Sequence, residues 1–408
     1  MELPAKVQNG SRISELDGIR GLAITLVIFQ HYVHDSIVSG TSRLGDFIKN
    51  NFTLGGTGVD LFFVLSGFLI GGILMDHRRS ENYFKSFYIR RICRILPLYY
   101  SVLIAFVFIS HGLSAHRAQE WYQWLFVSGV SVWSYATFTQ AIFQTVLHGT
   151  GHINAGWLFV TGTLAIEEQF YLILPLLVWL VRPARVWRLC LVCLCLHPVL
   201  YFFLWLYHPV TFDYALLILP IRADALLLGV ICACLVRNEK AMDWLKRSRN
   251  GLYAIFCLLL CGAGYFATKY EAGNYEVVRD IFFYPWMALL YGLLVVLCVT
   301  HPGGIPAGLM RRTPLRRLGI ISYGVYLLHM PVDGLMHGLV SQKGIFVTTF
   351  SDGMTTLLAL ILTLALASAS WRFFEKPIID WGHSFLYGKR KMPSAGEAQE
   401  SGKTMIAT

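Results

Sequence analysis

Apolar residues fall along this chain in runs of about 18 or more, the length that crosses a hydrocarbon core of about 30 Å. The runs cover residues 18–38, 54–75, 95–111, 163–181, 188–207, 214–236, 251–268, 281–300, 319–339 and 354–374, which predicts ten transmembrane helices. The expected fold class is all-α: a polytopic membrane helix bundle over residues 1–375, followed by a polar, disordered cytoplasmic tail, 376–408. A further aromatic-rich stretch, 121–145, tests the topology. If it does not cross and the N-terminus is cytoplasmic, inner loops and termini hold 25 Lys and Arg against 6 outside, with Arg20, Arg222 and Arg372 left in or beside spans. If it crosses, later loops swap sides and the positive-inside bias collapses. It is therefore assigned to a long external loop, 112–162, which can be re-entrant.

Composition narrows the function classes. With 55% hydrophobic and 14% charged residues and a mean hydropathy of +0.55, the chain is not a soluble domain. Its net charge of +10 sits in the inner loops, where it reports topology and contact with anionic lipid. No basic stripe with stacking aromatics points to nucleic acid. Eight of the nine cysteines fall in spans, which argues against a disulfide framework. "CLVCLC" has no His or carboxylate beside it, and no metal site is expected. The first span lacks a small-residue cleavage site and reads as an uncleaved anchor.

The ionisable residues inside the spans carry the chemistry, because such groups are costly there and usually functional. Arg20 and His31 are eleven residues apart, so they differ by only about 20° around an α-helix and are separated by about 16 Å along it. Asp60, Glu167, Glu168, Arg222, Asp224 and Asp333 are expected in the outer half of the membrane, with His329 near its middle. One reading of this set is structural ion pairing between helices. Another is a general-base site, in which a neutral imidazole works among carboxylates. A third is the proton or substrate path of a transporter or exporter of sugars. At the cytoplasmic surface "FYIRRICRILPLYY" supplies Arg90, Arg91 and Arg94. Arg91 and Arg94 share a helix face and could bind phosphate, although an ordinary inner-surface basic cluster has the same composition. Ser66 in "VLSGF" has no adjacent base and reads as an intrahelical hydroxyl bond rather than a nucleophile.

In this order, "ELDGIRGLAITLVIFQHY", "GGTGVDLFFVLSGFLIGGIL", "FYIRRICRILPLYY", "TLAIEEQFYLILP", "RADALLLG", "LGIISYGVYLLHMP" and "FFEKP" resemble acyltransferase family 3, the membrane O-acyltransferases acting on sugars and polysaccharides. The resemblance runs from about residue 14 to 378. It implies ten core helices, both termini cytoplasmic, an acyl-CoA donor (commonly acetyl-CoA) as co-substrate with no permanent cofactor, and an acceptor hydroxyl on a sugar or polysaccharide at the outer face of a bacterial inner membrane. The family's essential Arg and His fall on Arg20 and His31, and the expected roles are His31 as the general base, with Glu167 or Glu168 orienting the imidazole or holding the acceptor. The resemblance places donor handling on Arg91 and Arg94, and Arg20 is expected either to hold the donor or to pair with Asp17. Asp60, Arg222 and Trp157 are the expected acceptor-side residues, Arg222 either stabilising developing charge or pairing with Asp224. One departure stands out: the family's usual Trp is replaced here by Gly162, and the nearest Trp is Trp157.

Overall fold

The first apolar run folds as α1, Ser14–Phe29, and passes directly into a π-helical turn, Gln30–His34. The helix starts before the apolar run does, so Glu15, Asp17 and Arg20 belong to its first two turns. The structure, a computed structural model, describes residues 13–140, 142–143, 156–207, 219–269 and 276–388. The long helices that follow are α2 (Gly58–His77), α3 (Tyr83–Gly112), α4 (Thr161–Leu180), α5 (Pro183–Tyr207), α6 (Leu219–Arg237), α7 (Arg249–Lys269) and α8 (Glu276–Thr300). They are succeeded by α9 (Thr313–Ile320), α10 (Ser322–Met336), α11 (Phe350–Ser370) and α12 (Lys376–His383). Among the described residues there is no strand, only a bridge between Ile37 and Val347. Helices suit a bilayer because every backbone N–H and C=O is satisfied within the segment.

The protein is an all-α, multi-pass membrane protein. Seven helices among the described residues are long and apolar enough to cross a membrane, and eight if α9 and the helix after it, bent by 73°, form one span. The expected runs at 18–38 and 214–236 correspond to α1 and α6, which are not among the seven. Both are loaded with charge: Glu15, Asp17 and Arg20 on α1, and Arg222, Asp224 and Arg237 on α6.

Glycines set the closest crossings. A Cβ on Gly67 of α2 would overlap the Leu226 carbonyl of α6, and one on Gly229 of α6 would overlap the Val64 carbonyl of α2. Gly18 and Gly21 of α1 make the same kind of approach to Met310 and Leu315, and Gly319 of α9 to Asp17. Small residues bring backbones together where lipid supplies no hydrophobic drive between helices.

Among the described residues, the stretch after α3 holds no helix long enough to cross. It forms helices of 7 and 5 residues, Glu120–Phe126 and Val132–Ala136, too short to span a bilayer. The second is pinned to α3 by the Tyr99 and Tyr100 hydroxyls, which donate to the carbonyls of Tyr135 (2.7 Å) and Ala136 (2.8 Å). Beyond residue 376 the chain continues as α12 and then lies across the start of α3. There Asn82 Nδ2 donates to the Leu386 carbonyl (2.6 Å) and Arg90 Nε to that of Phe385 (3.1 Å). Of the predicted tail, residues 389–408 lie outside the described residues.

Candidate functional site

α1 and α2 run antiparallel, joined where the Gly56 N–H donates to Gln30 Oε1 at 2.9 Å. The His31 end of α1 therefore lies beside the start of α2, and Ser14 and His77 mark the opposite end of the bundle. His31 sits in the π turn after α1, an irregularity frequent at functional sites. Its Nδ1 is 3.0 Å from Nε2 of His329 on α10, with the two rings stacked at a centroid distance of 5.0 Å. His329 is fully buried, whereas His31 keeps part of its surface open. The Phe159 ring meets His31 edge-on at 6.5 Å. Tyr32 donates to the His329 carbonyl (2.8 Å) and bonds Thr363 of α11 (3.0 Å), fixing the backbone beneath the pair.

A second cluster gathers toward the other end. Ser66 of α2 donates to Glu167 Oε1 at 2.8 Å, and Tyr171 lies 3.1 Å from Oε2 of the same carboxylate. The Arg91 guanidinium stands over the Tyr171 ring, 5.6 Å from its centroid. Arg91 and Arg94 lie within Coulombic range of Glu167, and Arg94 also senses Arg20 and Glu375. Arg20 forms an ion pair with Asp17 at 2.8 Å. Glu168 lies within reach of Arg91, and its buried Oε1 has no hydrogen-bond partner among the described residues. Three arginines and several carboxylates thus share one region.

Tyr326 of α10 stands between the two clusters. Its ring is 5.9 Å from that of His329, its hydroxyl bonds Thr163 and the Val160 carbonyl, and the Glu167 charge acts on it. The result is a polar column through the bundle, with imidazoles at one end and guanidinium groups at the other.

The profile of the family described as Acyltransferase domain matches residues 13–372. The chain belongs to this family. It is similar to "Peptidoglycan O-acetyltransferase OatA" of Listeria monocytogenes, 28% identical over 385 residues, which is 90% of this chain and 56% of the relative. It is also similar to "Putative peptidoglycan O-acetyltransferase YrhL" of Bacillus subtilis, 28% identical over 399 residues, 91% of this chain and 56% of the relative. The chain spans just over half the length of these curated relatives. No solved structure matches it.

Against this acyltransferase frame the predicted site residues divide into four places. His31 stands at one end of the column, where its ring partner is His329 rather than a glutamate. Glu167 and Glu168, expected at the depth of Asp60, instead join Arg20, Arg91 and Arg94. Asp60 and Arg222 form a separate buried pair at 2.6 Å, with the Arg222 guanidinium 4.2 Å from the Tyr284 ring centroid. The pair is separate because Asp60 and Ser66, six residues apart on α2, point about 120° from each other: Ser66 faces α4 while Asp60 faces α6. The alternative partner for Arg222, Asp224, has both carboxylate oxygens unpartnered among the described residues. Trp157 is buried between Phe126 (5.4 Å) and Phe106 (6.1 Å) in the cap formed by the loop helices.

Sequence reasoning discounted Ser66 and assigned no role to Tyr326 or Glu375. Ser66 bonds across helices to Glu167, 101 residues away, so no local base could have signalled it. Glu375, buried in another π turn, Trp371–Glu375, accepts from Ser370 and lies in range of Arg94. Its quoted motif, "FFEKP", was the available signal.

Proposed function

We propose that the chain is an O-acyltransferase of the bacterial inner membrane. It moves an acyl group, acetyl in the reading the relatives favour, from cytoplasmic acyl-CoA to a hydroxyl of peptidoglycan or a related exported glycan. The observation that carries this reading is the polar column, with a half-buried imidazole at one end and a half-buried cluster of guanidinium and carboxylate groups at the other. Arg91 and Arg94 attract the donor phosphates, and Arg20, held by Asp17, adds positive charge to the same end. Glu167 and Glu168 hold these arginines in place and limit their mutual repulsion. His31 takes the proton from the acceptor hydroxyl, and the oxygen bonds to the thioester carbonyl carbon. The carbon–sulfur bond breaks, and the leaving thiolate receives the proton from the imidazolium.

The test is transfer from radiolabelled acetyl-CoA in proteoliposomes, with glycan acceptors presented on the opposite side, comparing wild type with His31→Ala. Acceptor labelling should fall by about 10²–10⁴-fold in the variant, the range for loss of a general base. Full labelling by the variant would remove His31 from the chemistry. No labelling by wild type, with sugar flux driven by a proton gradient, would make the protein a transporter.

A further inference from the structure

We infer that His329 is a positioning residue that fixes which nitrogen of His31 carries the proton, leaving the other free to act as the base. This rests on the role proposed above for His31. The argument starts from two carbonyls. His329 Nδ1 lies 2.7 Å from the Tyr326 carbonyl and 3.2 Å from that of Val325, both in the preceding turn of its own helix. A carbonyl oxygen has no proton to give, so His329 Nδ1 must be the N–H donor. In a neutral imidazole the other nitrogen is then an acceptor. His329 Nε2 therefore presents a lone pair, and it does so 3.0 Å from His31 Nδ1. His31 Nδ1 must in turn be the N–H, which leaves its lone pair on Nε2.

Burial makes this arrangement the only comfortable one. His329 is fully buried, so a doubly protonated ring would place a desolvated charge against the imidazole it supports. His31 is the more open of the two, and its Nε2 is the nitrogen not engaged by His329. When Nε2 takes a proton, Nδ1–H still points at the His329 lone pair and the bond strengthens as the ring becomes charged. One buried imidazole, anchored to its own backbone, thus performs for His31 the orienting task that a carboxylate performs in a serine hydrolase triad.

Two amides of different length separate this role from a structural one. In His329→Gln the side-chain oxygen reaches the position of Nε2 and can accept from His31 Nδ1. In His329→Asn the amide reaches only as far as Nδ1: it can satisfy the backbone carbonyls and offers His31 nothing. With acetyl transfer as readout, His329→Asn and His329→Ala should lose about 10²–10⁴-fold in kcat, as expected when a catalytic imidazole is left without its tautomer partner. KM for donor and acceptor should change little, and His329→Gln should retain activity within about tenfold of wild type. Equal activity of the Asn and Gln variants, or wild-type kcat in His329→Ala, overturns the inference. Should the Ala variant fail to purify, the Asn and Gln pair decides alone. Inactive His31→Ala alongside active His329→Ala would sink the positioning role only, whereas active His31→Ala would sink the base itself.

Discussion

At the scale of single residues, Glu167 has the most to lose. It accepts from Ser66, is approached by Tyr171, and lies in range of both Arg91 and Arg94. Glu167→Gln preserves its volume and removes its charge, leaving two guanidinium groups less compensated in a medium where an unpaired charge is expensive. The expected outcome is at least a tenfold loss of acyl transfer with an elevated donor KM, read by steady-state kinetics. Ser66→Ala removes one donor to the carboxylate, and a hydrogen bond to a charged group contributes about 1.5–3 kcal/mol. It should lower the thermal midpoint while leaving measurable transfer. An unchanged donor KM in Glu167→Gln would mean that the arginines do not depend on that charge. These partnerships were invisible in the sequence because they join residues far apart. His31 meets His329 across 298 positions, a separation that no local pattern encodes.

The elements themselves were far more legible. Apolar runs of spanning length located most of the long helices, and the helical period correctly put Arg20 and His31 on one helix. What the runs did not give were the ends of helices that begin in charge: α1 starts at Ser14, before its apolar run, because Glu15 and Asp17 are paid no penalty where they meet other polar groups. Glu15 pairs with Arg311 at 3.3 Å, and Asp17 with Arg20. The crossings were legible only as small residues without partners. At the α2–α6 crossing Gly67→Leu should be severely destabilising, since the side chain would drive into the Leu226 backbone, and overpacking costs about 1–3 kcal/mol even where neighbours can yield. Gly264→Leu on α7 is the control, because a Cβ there meets nothing within 4 Å. Thermal unfolding in detergent should separate the two variants widely, and equal midpoints would show that the crossing tolerates separation.

At the scale of the whole molecule, the loops sort onto two ends by contacts that do not depend on counting charges. The His31 end gathers the segment after α1 and the one before α11: the Val347 N–H donates to the Ser36 carbonyl at 2.8 Å, and Lys49 Nζ donates to the Ile37 carbonyl at 2.9 Å. The opposite end gathers Glu15 with Arg311, Asp76 with Arg237 (2.7 Å), and Asn82 with Leu386. Lys49 and Lys343 must therefore face one compartment, and Arg312 with the start of α3 the other. From the positive-inside excess we propose that the second end is cytoplasmic. This orientation is the one the proposed function requires, with the arginines on the side of the proposed acyl-CoA donor and His31 on the side of the proposed glycan acceptor. Cysteines introduced at Lys49 and Lys343 should react with a membrane-impermeant thiol reagent in intact cells, and one at Arg312 only after permeabilisation. The native cysteines supply the background, which the unsubstituted protein measures. Labelling of Arg312→Cys in intact cells would invert the bundle and leave the donor on the wrong side, whatever the chemistry of His31. Labelling of Lys49→Cys without Lys343→Cys would instead contradict the pairing of Ser36 with Val347, which places both segments at the His31 end.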